Sequence, residues 1–235
     1  MANSTDKTWQ TLSTAAYPFT PATYPGKRPR FSFLFTTQAM YRFSFETLDA
    51  LLATRNLAPT SERYAVLAYG SNACPGQLSN KYRDYGLTDV PVIYGRLHGA
   101  QAVYARRTTA NGYLPATLAR QKGSTFNWLT LLTKHQLRAM DASEGRPKFY
   151  ILAEVLDVHF SIGQSKAKIA PLFAYIDVRG GVMTLDARPL SIRSVRQKKC
   201  KTLFDKTVAQ DAHRWLTFKV VSNLHPPPQF SKIQR

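Results

Sequence analysis

The continuous apolar run Tyr64-Ala65-Val66-Leu67-Ala68, closed by the turn formers Tyr69-Gly70-Ser71-Asn72 and then by Pro75, constrains this chain more than any other stretch. An unbroken apolar run of that length suits a strand buried on both faces rather than one with a wet side. Proline is tolerated in the first turn of a helix, so Pro75 with Gln77 to Tyr82 reads as a short helix. The unit is therefore strand, tight polar loop, helix. Its Gly-Ser-Asn loop places small residues and backbone N–H groups where an anion can approach closely.

A second helix is predicted over residues 133–145. Thr133 is a suitable N-cap, Leu137 and Met140 lie three apart on one face, and Gly145 suits the left-handed position that ends a helix. Glu144 then falls at the C-terminal end, where the helix dipole disfavours a negative charge and no basic residue stands three or four positions back. A carboxylate in that place points to a task other than helix stability. Asp141, three residues earlier, is read as orienting the local backbone rather than as the partner in a carboxylate pair.

Strands are expected at 64–68, 91–97, 99–106, 115–119, 126–132, 149–158, 171–178 and 182–192, with Gly112 and Gly180-Gly181 in hairpin or loop positions. Residues 44–56 read as a helix with Ser44 as N-cap and Phe45, Leu48, Leu51 and Leu52 as its apolar face. The alternation in Phe31-Ser-Phe-Leu-Phe-Thr and Tyr41-Arg-Phe-Ser-Phe suggests that this part of the chain packs on the main body or on another subunit. The prolines at 18, 21, 25 and 29 suit an extended arm, and Leu224-His-Pro226-Pro227-Pro228 marks the start of a tail. The resulting division is an N-terminal extension (arm plus helix) over 1–60, a central domain over 61–195, and a basic C-terminal segment and tail over 196–235.

With 235 residues and 44% hydrophobic composition, the chain can bury a core and is not a disordered one. Its 32 Lys and Arg against 14 Asp and Glu give a formal net charge of +18, heaviest toward the C-terminus, where Arg193-Ser-Val-Arg196-Gln-Lys198-Lys199-Cys-Lys201 is the densest run. Such a balance raises nucleic acid as a partner, but no helix-turn-helix, zinc-finger or RNP-type sequence accompanies it, and a solvated face is the simpler reading of the run. Cys74 and Cys200 fit neither a disulfide framework nor a zinc spacing, and the five histidines show no metal-ligand spacing. Without a secretory signal or an apolar stretch of membrane-spanning length, a cytoplasmic protein with no membrane association is expected. Cys74 beside His98 or His135 as a thiol nucleophile, and Ser71 as a hydrolase serine, are both disfavoured; Ser71 lacks the GxSxG elbow.

The strand ending in Tyr69-Gly70-Ser71-Asn72, the strand Asn127-Trp-Leu-Thr-Leu-Leu132, and Gln136-Leu-Arg-Ala-Met-Asp141-Ala-Ser-Glu144-Gly145 with Tyr150 beyond it together resemble the γ-glutamylcyclotransferase-like family over roughly residues 64–178. The resemblance implies an α+β fold, a small mixed β-barrel with surrounding helices, to which the N-terminal extension is added. It also implies cyclisation of a small-molecule γ-glutamyl substrate to 5-oxoproline with release of an amine or amino acid, requiring no metal and no organic cofactor. By the same resemblance Glu144 is the general acid/base, the backbone N–H groups of Gly70, Ser71 and Asn72 bind the glutamyl carboxylate or the oxyanion, and Tyr69 frames the pocket; Tyr150 either contacts substrate or base or is a core strand aromatic. The alternative is the same barrel as a non-catalytic binding module for an anionic partner such as nucleic acid.

Overall fold

The computed structural model of the chain describes residues 9–163 and 168–222. In chain order its strands are β1 (Gln10–Leu12), β2 (Phe33–Phe35), β3 (Met40–Arg42), β4 (Tyr64–Leu67), β5 (Val90–Tyr104), β6 (Ala116–Leu132) and β7 (Tyr150–Val155). There follow β8 (His159–Ser161), β9 (Lys168–Ile169), β10 (Leu172–Asp177), β11 (Val182–Leu185), β12 (Arg188–Pro189), β13 (Val208–Gln210) and β14 (Phe218–Val220). The α-helices are α1 (Leu48–Thr54), α2 (Pro75–Tyr85), α3 (Lys134–Glu144) and α4 (Gln197–Thr202). The predicted tail beyond Leu224 lies outside the described residues.

Mixed α+β character is as expected, but the closed barrel is not found. The main sheet runs β1-β3-β2-β5-β6-β4-β10-β7-β14, with β8 and β9 attached to β5, and among the described residues no pairing joins its ends. The edges are instead taken by strands from outside the recognised motifs. β2 pairs antiparallel with β5 (Leu34 opposite Pro91) and carries β3 and β1 beyond it, while β14 pairs with β7. Among the described strands only β10 and β4 pair in parallel.

β4 sits deep in this sheet, and its continuous apolar run is explained by both of its faces being covered. Ala65 and Leu67 point into a core that also holds Leu48, Leu51 and Leu52 of α1. Tyr64, Val66 and Ala68 point into a second core with Leu78 of α2 and Leu137 and Met140 of α3. Each fully buried Leu or Met contributes roughly 1.5–3 kcal/mol by removal from water, so α2 and α3 are held on the sheet chiefly by these residues.

The four strands expected between 91 and 132 are two. β5 is continuous through a bulge between His98 and Ala100, where Gly99 adopts φ +86° and an added Cβ would lie 2.7 Å from the Asp157 carbonyl oxygen. β6 is continuous through Arg120-Gln-Lys-Gly-Ser-Thr, a polar stretch that is exposed or half-buried throughout and so mimics a turn. The expected strand 182–192 is divided by a tight turn at Asp186 and Ala187, both with positive φ, into β11 and β12. Residues 45–47 form a 3-10 turn ahead of α1, so the helix is shorter than the 44–56 expected, and Ser44 makes no side-chain bond to the helix backbone. The basic run of the C-terminal third forms α4 with Cys200 buried, while Arg193, Arg196, Lys198, Lys199 and Lys201 face solvent. No helix among the described residues is long and apolar enough to cross a membrane.

Candidate functional site

The two motifs separated in sequence by about seventy residues meet at one cavity of ≈ 270 Å³. Tyr69, Gly70, Ser71, Asn72, Glu144 and Tyr150 all contribute to its wall. The geometry follows from how each motif ends. β4 stops at Leu67, the chain turns through a short 3-10 segment at Ser71–Ala73, and α2 begins on Pro75. The N–H groups of Gly70, Ser71 and Asn72 stand at the head of that segment, where no preceding turn supplies acceptors.

α3 is fixed at both ends. Thr133 Oγ1 accepts the Gln136 N–H (3.3 Å) while Gln136 Oε1 accepts the Thr133 N–H (3.0 Å), a reciprocal capping box. The same Gln136 oxygen accepts from the buried Arg63 guanidinium at 3.1 Å. Gly145 ends the helix in the left-handed region (φ +65°) with its N–H on the Ala142 carbonyl. Glu144 is thereby the last helical residue, and its Oε1 accepts from Asn72 Nδ2 at 3.1 Å, tying the carboxylate to the loop.

The basic neighbour that α3 itself lacks comes from α2. Lys81 Nζ bonds directly to Glu144 Oε1 and donates to Ser143 Oγ at 2.7 Å; the side chains of Lys81 and Glu144 are 6% and 15% exposed. Sequence reading passed over Lys81, yet its spacing carried a signal: Pro75, Leu78 and Lys81 lie three apart and form the buried face of α2. Lys81→Met removes one partner of a mostly buried pair and is expected to lower stability by about 3 kcal/mol. Urea unfolding would measure it, and the loss should shrink when Glu144→Gln is added, because the uncompensated carboxylate is then gone.

The other wall is the loop between β5 and β6, including Arg107, Thr109 and Tyr113. Arg107 Nε reaches the Asp177 carboxylate at 2.5 Å, and its guanidinium lies over the rings of Phe149 and Tyr150. Asp177 is wholly buried and also accepts the N–H groups of Gly180 (2.6 Å) and Arg179 (3.1 Å); burial raises its pKa, against the lowering effects of Arg107 and these donors. Neither member of this pair was anticipated. Asp141 is engaged away from Glu144, accepting Tyr175 Oη at 2.8 Å and pairing with Arg146 at 2.9 Å, both side-chain partners rather than the local backbone.

The tyrosines are largely committed within the protein. Tyr69 Oη donates to the Tyr175 carbonyl and Tyr150 Oη to the Ala116 carbonyl at 3.2 Å, and burial raises both pKa values well above the usual range. Tyr24 comes from the N-terminal arm. Its ring stacks on Tyr113 at 4.5 Å, and its hydroxyl accepts the Ala116 N–H at 2.8 Å. A Cβ at Gly70 would come within 2.9 Å of that hydroxyl, so a side chain at residue 70 has to displace Tyr24 from its bond to Ala116. Gly70→Ala should therefore destabilise by about 1–3 kcal/mol through overpacking. A double-mutant cycle by chemical denaturation should show the penalty partly relieved in a Tyr24→Phe background.

Burial raises the pKa of Cys74, which disfavours the thiolate a nucleophile requires, and its thiol lies 3.6 Å from the Tyr17 carbonyl oxygen. Among the described residues no group of three or more His, Cys, Asp and Glu could hold a metal ion.

The fold and cavity thus define a mixed α+β protein with a carboxylate and a glycine-containing loop facing one small pocket. No protein-family model and no curated protein sequence matches the chain. Among solved structures it is similar to one described as a gamma-glutamyl cyclotransferase, with 18% identity and a TM-score of 0.40 over 50% of this chain and 68% of that one. It is also similar to an uncharacterized protein from Homo sapiens, with 20% identity and a TM-score of 0.39 at the same coverage.

Proposed function

We propose that the protein is a γ-glutamylcyclotransferase-like enzyme that converts a γ-glutamyl compound to 5-oxoproline and a free amine or amino acid. The observation that carries the reading is the hydrogen bond between Asn72 and Glu144, which brings the two motifs together at the wall of one cavity. In the proposed reaction the substrate's α-amine attacks its own δ-carbonyl carbon, forming the ring C–N bond and a tetrahedral oxyanion. Glu144 takes the proton released from the nitrogen. Collapse of the oxyanion breaks the original amide C–N bond, and the leaving nitrogen takes its proton from Glu144.

Because nucleophile and electrophile are tethered in one molecule, the protein's tasks are to hold the folded conformer, move one proton and stabilise the oxyanion. The N–H groups of Gly70, Ser71 and Asn72 are assigned the glutamyl carboxylate or the oxyanion, Tyr69 and Tyr150 frame the ring, and no step calls on a metal or organic cofactor. The excess of positive charge favours anionic substrates by raising their local concentration. Incubation with a panel of γ-glutamyl peptides, amino acids and amines, followed by assay of 5-oxoproline, is expected to find turnover with at least one member. Salt-sensitive nucleic-acid binding with no turnover across the panel would replace this reading by the binding-module alternative.

A further inference from the structure

The N-terminal arm reaches the back of the 69–72 loop. Tyr17 accepts the Gly76 N–H through its carbonyl (3.0 Å), and two glycines let the strands of chain touch: a Cβ at Gly76 would meet the Tyr17 carbonyl oxygen at 2.6 Å, and one at Gly26 would meet Cys74 Sγ at 2.7 Å. Trp128 Nε1 donates to the Pro29 carbonyl at 2.6 Å, anchoring the far end of the arm.

Between these contacts lies Arg28. Its Nη1 donates to the carbonyls of Tyr69 (3.0 Å) and Gly70 (3.2 Å), and its guanidinium lies 4.4 Å from the centre of the Trp128 ring. Nε is buried without a partner, and burial lowers the pKa of the group to about 10, still leaving it charged at neutral pH. Arg28 is half-buried, and a cation drawn out of water is costly unless it is matched; here its matches are two consecutive peptide carbonyls and an indole face.

In a trans peptide the N–H points opposite to the C=O. With both carbonyls turned to Arg28, the N–H groups of Gly70 and Ser71 are turned the other way. Gly70 and Ser71 line the cavity, whereas Arg28 does not, so the other way is inward. Glycine permits peptide rotation at little steric cost, and a rotated Gly70–Ser71 peptide would present a carbonyl where a carboxylate or oxyanion has to sit.

We infer that Arg28 is a positioning residue that locks two successive peptide planes with their N–H groups facing the cavity, so that the N-terminal arm completes an anion-binding wall for the carboxylate or oxyanion of the substrate. This rests on the cyclotransferase reading for its reaction, though not for its geometry.

The test compares Arg28→Met, which keeps the stem over Trp128 without donors, with Arg28→Lys, which keeps a cation and a donor. Loss of one oriented donor costs about 10²–10³-fold in other enzymes, so R28M should lower kcat/KM for 5-oxoproline formation by about 10²-fold, with R28K intermediate between R28M and wild type. Activity of R28M indistinguishable from wild type, or R28K no better than R28M, overturns the inference. A thermal melt accompanies each variant; if R28M is unfolded, R28K is compared directly with wild type, where a lower kcat/KM supports the inference and an unchanged one overturns it. If wild type forms no 5-oxoproline, the reaction assigned above fails by itself and the geometry is tested with glutarate on ¹⁵N-labelled full-length protein. Gly70 and Ser71 amide resonances should then move in wild type and stay fixed in R28M, or in R28K to a smaller extent, and equal movement overturns the inference.

Discussion

Glu144→Gln is expected to lower 5-oxoproline formation by about 10²–10⁴-fold, the usual contribution of a positioned acid/base. The substitution is close to isosteric. The amide keeps an oxygen to accept from Asn72 Nδ2 and from Lys81 Nζ, so the carboxylate's place in the cavity wall is retained while its ability to take a proton is lost. One side effect is built into the site. Lys81 is only 6% exposed and loses its counter-charge in this variant, so stability falls too, and turnover has to be referred to the folded fraction measured under the assay conditions. Adding Lys81→Met removes the unmatched ammonium and should recover stability without recovering turnover. Turnover in Glu144→Gln equal to wild type would sink the acid/base assignment while leaving the fold unaffected.

The parts of this site that sequence reading reached are those in which local chemistry and global position agree. Thr133, Gln136 and Gly145 carry the start and stop of α3 in their own side chains and backbone freedom, so the end of the helix, and with it Glu144, was legible to the residue. The buried strand before Tyr69 was legible because both of its faces are apolar. The closed barrel failed for the opposite reason. Which strands occupy the edges depends on pairings between distant segments, β2 with β5 and β14 with β7, and short strands such as Phe33–Phe35 announce no partner. The break expected inside β5 marks a real irregularity, the Gly99 bulge, through which pairing continues, and the one expected inside β6 falls on polar, partly exposed residues that look like a turn when read one window at a time. The ion pairs around the cavity were hidden similarly: Lys81 with Glu144, and Arg107 with Asp177, are each joined only by the fold. Asp177 ends the otherwise apolar strand Leu172–Asp177, and its burial follows from the Gly180 and Arg179 N–H groups folding back onto it.

That last pair gives the largest expected effect on stability. Arg107→Met should cost about 3–5 kcal/mol, the penalty for leaving a buried charge without its partner, because Asp177 has no exposure through which water could take the guanidinium's place. The sign of the pH dependence distinguishes this cause from simple loss of packing over Phe149 and Tyr150. Burial already raises the folded-state pKa of Asp177 above its ordinary value, and removing Arg107 takes away the strongest influence that lowers it. With the folded pKa raised above the unfolded one, the native state binds the proton more tightly, so the charge penalty is full above the folded pKa and is relieved as pH falls through it toward the unfolded value. The gap between Arg107→Met and wild type in urea unfolding should therefore narrow on acidification. Asp177→Asn in the Arg107→Met background should close most of that gap at neutral pH, since the amide oxygen still accepts from Gly180 and Arg179 with no charge to bury. A gap that stays constant with pH and survives Asp177→Asn would assign the loss to packing instead, and Arg107 would then shape the cavity wall through its contact with the two rings rather than through the ion pair.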